Sequence, residues 1–180
     1  MTDPAARYLE LLGGLDPIEV LSATPRHIEA WFETVEPSTL EDADQPLDRG
    51  ATAPGHSEPV TPRALLAHLA DFELTAGFRL RQLVALPGIE TQDVDHRTWS
   101  TRYQRLDPTL ALEAFRALRA WNLALLSGFS LEDWLAEGFH PERGFESADV
   151  LVRHLAGHDL DTLSRLGIDA TGESTRSAFY

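Results

Sequence analysis

The chain has 180 residues, 43% hydrophobic and 24% charged, a composition that fits one folded domain and excludes an extended disordered chain. Its formal net charge of −14 opposes an exposed nucleic-acid backbone, so no nucleic-acid partner is expected. With no cysteine there is neither a disulfide nor a thiolate nucleophile, and every metal ligand has to be His, Asp, Glu or water.

Asp3-Pro4 and Asp16-Pro17 each combine a capping side chain with a first-turn proline, so two helices start close together, separated by Gly13-Gly14. Residues 1–14 read as an N-terminal helical extension. The second helix runs to Val35, with a kink or restart expected at Pro25, which lacks the N–H of an interior helical residue. Residues 36–60 hold Pro37, Pro46, Pro54 and Pro59 and no apolar period, which describes a long loop. Thr61-Pro62 opens a strong helix to about Leu86, ended by Pro87-Gly88. Residues 89–106 read mostly as loop, with Trp99 and Tyr103 as anchors. Asp107-Pro108 starts a further long helix ending at Ser127-Gly128, Ser130 with Asp133 suggests a short one, and Ser147 caps the last, which reaches Gly167. Residues 171–180 read as a flexible tail. Strand alternation is nearly absent, so the expected fold is all-α, a single four-helix-bundle domain over 1–180.

No stretch reaches the ~18 apolar residues of a membrane span, and the start of the chain lacks the basic and apolar segments of a signal peptide. A cytoplasmic protein with no membrane partner is the expectation. There is also no Gly-rich phosphate loop, nucleophile elbow or His-Glu-x-x-His pattern to support nucleotide or protease chemistry.

At about 100° per residue, His158 and Thr162 turn toward the apolar stripe of the last helix, while His154 and Asp161 turn away from it. His68 sits at the edge of the stripe of its own helix at a matching offset, so His68 and His158 are positioned to converge from two packed helices. Two readings stay open: ligands of one divalent ion, or a hydrogen-bonded pair at the core edge without metal. Asn122 shares the apolar face of its helix and either lines the same cavity or is a satisfied buried amide. Glu73 is a candidate acceptor or base behind the site, and Asp71 points outward; the plain alternative for both is a solvated helix charge. His154 reads as a solvated surface residue and His140 as a loop contact.

Four segments carry a resemblance to a known family: Ala64–Glu73, Ala114–Leu126, Phe139–Gly144 and Val152–Asp159, in order over most of residues 15 to 168. Together they resemble the DinB-like superfamily. The resemblance implies a four-helix bundle, often a homodimer, holding a divalent metal such as zinc or nickel by one histidine of the second long helix and two of the last. Matched residue by residue, the first two are His68 and His158, and the third position is Thr162. A threonine hydroxyl is a poor ligand at neutral pH, so weakened metal binding is expected. The implied activity is that of a metal-dependent transferase or hydrolase of low-molecular-weight thiol compounds. The alternative is a non-catalytic small-molecule-binding or stress-response interaction protein that has lost the metal.

Overall fold

The structure, a computed structural model, describes residues 4–41, 61–92 and 94–175. Among the described residues, seven α-helices and one hairpin follow in order: α1 (Pro4–Leu12), α2 (Pro17–Thr34), α3 (Pro62–Ala85), α4 (His96–Ser100), α5 (Pro108–Leu126), α6 (Leu131–Leu135), β1 (Glu137–His140), β2 (Gly144–Ser147) and α7 (Ala148–Leu166). None of these helices is long and apolar enough to cross a membrane.

The long helices begin where their caps demand. Asp16 accepts from the backbone N–H of Ile18 and Glu19, Thr61 from Ala64, Asp107 from Thr109 and Ser147 from Val150. Each cap satisfies N–H groups that a helix start leaves without an internal partner, and Pro17, Pro62 and Pro108 occupy a first-turn position where no donor is needed. α7 stops at Gly167, whose φ of 76° is the left-handed conformation that glycine adopts without penalty.

Four long helices form the bundle. Both α2 and α3 pack on α5 and α7, so α2 and α3 occupy opposite corners of the bundle. The core falls into two apolar clusters. One gathers Ile28, Leu65, Leu69, Phe115, Leu163 and Leu166; the other gathers Leu21, Leu80, Leu83, Leu126, Leu151 and Leu155. Between the two stretches on their helices lie Glu73 of α3, Arg119 and Asn122 of α5 and His158 of α7, and His68 stands on α3 within the stretch of the first cluster. The candidate site therefore sits where polar side chains of α3, α5 and α7 interrupt the apolar core.

Several expectations need correction. α2 runs unbroken through Pro25, and the Leu21 carbonyl, which Pro25 has no N–H to meet, accepts instead from the guanidinium of Arg119 at 2.8 Å. Within residues 89–106, expected mostly as loop, lie α4 and a 3-10 turn over Tyr103–Arg105. Tyr103 is buried there as an anchor, whereas Trp99 stays exposed. The hairpin β1–β2, with Glu137 opposite Ser147 and His140 opposite Gly144, was not anticipated. Its four-residue strands are too short to show an alternation in sequence. His140 lies on β1, buried, with its Nδ1 accepting from the Glu142 N–H.

The N-terminal helix is built into the bundle. A side chain at Gly157 would place its Cβ 2.1 Å from the backbone oxygen of Tyr8, so α1 approaches α7 to a distance only glycine permits. At the other end, residues 171–175 are not a free tail: Ser174 pairs with Ile168, and Thr175 N–H donates to the Gly167 carbonyl at 2.8 Å. Residues 176–180 lie outside the described residues, as do residues 42–60 of the expected loop, whose first part, Pro37–Glu41, is a 3-10 turn.

Candidate metal centre

His68 of α3 and His158 of α7 meet with their Nε2 atoms 3.0 Å apart and their ring centroids at 5.0 Å. His158 is almost completely buried, and its ring lies flat on Phe72, 3.9 Å between centroids, with Tyr8 of α1 edge-on at 5.6 Å. His68 is half-buried and also faces Tyr103, at 6.3 Å. Burial, reinforced by His68, Arg165, His96 and Arg119, holds the His158 imidazole well below the usual histidine range. The ring is therefore neutral at pH 7, the form that can ligate a metal.

Thr162 is buried one turn beyond His158, and its hydroxyl donates to the His158 carbonyl at 3.0 Å. The hydroxyl proton is thus committed to the backbone of its own helix. Among the described residues, Nδ1 of His158 has no hydrogen-bond partner, the outer acceptor that usually steadies a ligating histidine.

Glu73 is neither solvated nor beside the histidines as an acceptor. It is fully buried, paired with Arg119 at 2.8 Å, and accepts from the Asn122 amide at 2.8 Å. Asn122 also receives a hydrogen bond from Arg81 at 2.8 Å, so it is a satisfied buried amide. Arg119 joins the four long helices: from α5 it reaches Glu73 on α3, Asp159 on α7 at 2.7 Å and the Leu21 carbonyl on α2. Burial works against its charge, but the Asp159 and Glu73 carboxylates outweigh that and keep it cationic. Asp159 is raised above the usual carboxylate range, chiefly by burial, with Arg119 pulling the other way.

Sequence reasoning missed Arg119 and Asp159. The signal for Arg119 was present: it stands four residues after Phe115 and three before Asn122, on the same helical face. His154 and Asp161 do turn away from the histidine pair, yet both are buried, because other elements cover that side of α7. His154 Nδ1 is 2.7 Å from Glu146 of β2, and Asp161 pairs with Arg7 of α1 at 2.6 Å. A helix wheel locates a residue relative to one apolar stripe and cannot anticipate a second packed face.

The sequence matches the DinB superfamily over residues 5–161. The chain belongs to the DinB superfamily. A solved structure of similar fold is YfiT from Bacillus subtilis, described as a probable metal-dependent hydrolase with an unusual four-helix bundle topology. The two share 19% identity with a TM-score of 0.71, over 83% of this chain and 81% of that one. No significant match is found among curated proteins.

A structural neighbour described as a probable metal-dependent hydrolase raises the question of whether this site fits an ion. The facing Nε2 atoms of His68 and His158, at hydrogen-bond distance, fit two ligand positions after a small separation, since nitrogens bound tetrahedrally to one ion at about 2.0–2.1 Å stand roughly 3.3 Å apart. Glu73 and Asp159 are occupied by Arg119, and Asp161 by Arg7. Among the described residues, no group of three His, Asp or Glu side chains is arranged to hold an ion as it stands. The pair fits; the ligand set is incomplete.

Proposed function

We propose that this DinB-superfamily protein is a metal-dependent hydrolase or transferase of small molecules, with His68 and His158 as ligands of a zinc or nickel ion. The observation that carries the reading is the 3.0 Å approach of two Nε2 atoms from different helices. The thiol-conjugate substrate class and a homodimeric assembly are implied by the family resemblance and form part of the proposal, as does a cytoplasmic location.

The ion, when bound, supplies a Lewis acid that brings the pKa of a water or thiol toward neutrality. The chain's own residues prepare the place. Phe72 and Tyr8 hold the His158 ring between a stacked and an edge contact, which fixes its direction. The Arg119 network ties α3 to α7, keeping the two imidazoles in register. Burial, reinforced by the neighbouring cationic groups, keeps His158 neutral.

A second reading is a metal-free protein that binds a small molecule or a partner, with a role in stress response. It is favoured by the Thr162 hydroxyl being spent on the His158 carbonyl. Elemental analysis followed by zinc and nickel titration separates the two. The expected result is one ion per chain, lost in His68→Ala, and an ion at about 100 times its Kd adds roughly 2.7 kcal/mol to stability in thermal melts. A wild-type chain that takes up no ion, while Thr162→His does, overturns the metal-dependent reading in favour of the second.

A further inference from the structure

We infer that the open groove between α6, the β1–β2 hairpin and the end of α3 is a docking surface for a cationic amphipathic helix of a partner protein. The inference stands apart from the metal reading, because none of the residues that line the groove belongs to the metal centre.

The groove has a volume of about 910 Å³ and takes apolar side chains from all three elements: Val84 of α3, Leu131 and Leu135 of α6, and Phe145 of β2. Leu131 and Leu135 stand one turn apart and are 75% and 61% exposed, and Phe145 is 74% exposed. A single leucine at a surface carries no meaning. Here the apolar surface continues through Phe139, edge-on to Phe145 with centroids 5.5 Å apart, into a contiguous face of the kind that marks an interaction site. No residue of α6 is buried, so its two leucines are not core residues of this chain.

Hydrogen bonds fix the walls. Ser130 and Asp133 form a reciprocal capping box at the start of α6, with the Ser130 N–H donating to the Asp133 carboxylate at 2.8 Å and the Asp133 N–H to the Ser130 hydroxyl at 3.2 Å. The Gly88 N–H, just beyond α3, donates to the Glu137 carbonyl at 2.7 Å, and the Ala148 N–H donates to the Ala136 carbonyl at 3.0 Å. The apolar face is thus presented by backbone that is held at both walls.

Charge selects the occupant. Glu132, Asp133 and Glu137 line the same groove, and among the described residues no arginine does. Hydrogen bonds from the Ser130 N–H and hydroxyl hold the Asp133 carboxyl below the usual range, so it is ionised at neutral pH. Glu132 and Glu137 enter no ion pair among the described residues. Apolar walls edged by free carboxylates complement a helix whose apolar stripe is flanked by Lys or Arg. A second copy of this chain fits poorly, because an isologous contact sets three carboxylates against their own counterparts on chains of net charge −14 each. An anionic membrane is repelled for the same reason. A helix, about 10–12 Å across, covers side chains of α6 and of the hairpin together.

The test uses the full chain and a dye-labelled synthetic helix of leucine and lysine, about 18 residues long with its leucines on one face, followed by fluorescence anisotropy. A leucine–glutamate helix with the same apolar face and a scrambled leucine–lysine peptide serve as controls. The variants are Leu131→Ser/Leu135→Ser, Phe145→Ser, Glu132→Gln/Glu137→Gln and, as a charge control outside the groove, Glu33→Gln/Glu36→Gln, each checked for folding by circular dichroism. The expected result is saturable binding of the lysine helix alone, weakened roughly tenfold or more in the leucine and phenylalanine variants and unchanged in the charge control. Added salt should weaken binding in the wild type and far less in Glu132→Gln/Glu137→Gln. No binding of the lysine helix, equal binding of either control peptide, or an affinity unchanged in Leu131→Ser/Leu135→Ser overturns the proposal. So does a wild-type oligomer in sedimentation equilibrium that the leucine variant dissociates, which makes a second copy the occupant. Binding to phosphatidylglycerol vesicles that the same variant abolishes overturns it in favour of a membrane.

Discussion

Arg119 satisfies two carboxylates and a proline-orphaned carbonyl at once. Removing one member of a buried ionic group leaves the others charged in a medium that solvates them poorly. Arg119→Met is accordingly expected to cost about 3–5 kcal/mol in urea unfolding. Replacing all three ionic groups, with Glu73→Leu and Asp159→Leu added, should recover most of that loss, because no uncompensated charge then remains buried. If the single variant is as stable as the wild type, the network does not hold the bundle together. The same residue shows what is legible at this scale. The position of Arg119 on a buried face follows from helical periodicity, but its partners come from α2, α3 and α7, and no local spacing encodes them.

Among the elements, α1 shows most clearly how a sequence-level boundary differs from a structural one. Gly13-Gly14 does separate α1 from α2, as the sequence indicates. The helix nevertheless packs on α7, and Gly157 is where the two backbones come closest. A Cβ at that position meets backbone atoms of Tyr8, which cannot rotate aside, so Gly157→Ala forces the helices apart. The expected loss is about 1–3 kcal/mol in thermal melts, despite the better intrinsic helix propensity of alanine. Faster amide exchange in α1 than in α3 should accompany it. An unchanged melt and unchanged exchange in α1 would mean that the contact does not constrain α1. The hairpin is the contrary case among elements. Its pairing is joined to residues 89–91 by hydrogen bonds such as Phe139 N–H to the Ile89 carbonyl at 2.8 Å, and these long-range bonds make a strand of a segment with no strand pattern of its own.

At the scale of the whole molecule, stability depends on pH through groups whose folded pKa departs from the free value. Burial raises the Glu146 carboxyl, but hydrogen bonds from His154 and Arg143, with the charges of both, overcome that and lower it to about 2. Its folded pKa lies below the unbound value of 4.5, so its contribution is complete above about 4.5 and is lost as pH falls toward 2. Wild type should therefore exceed Glu146→Gln in stability at pH 7, with the gap closing across that interval in pH-dependent melts. A gap that persists at pH 2 would show that the charge of Glu146 is not what stabilises the hairpin against α7. Asp159, raised by burial, acts in the opposite sense and is untouched by this comparison.

The sequence by itself determined the helix starts, through Asp16, Thr61, Asp107 and Ser147, because a cap and its N–H partners lie within three residues of each other. It also determined the bundle class, through apolar periodicity, and the inward turn of His68 and His158, through helical geometry. The 3.0 Å meeting of their nitrogens was decided only in the tertiary structure. So were the burial of His154 and Asp161 and the engagement of Glu73 by Arg119. The physical reason is common to all of them: each depends on which surface of a second or third element faces the residue, and that is settled by packing between segments far apart in the chain.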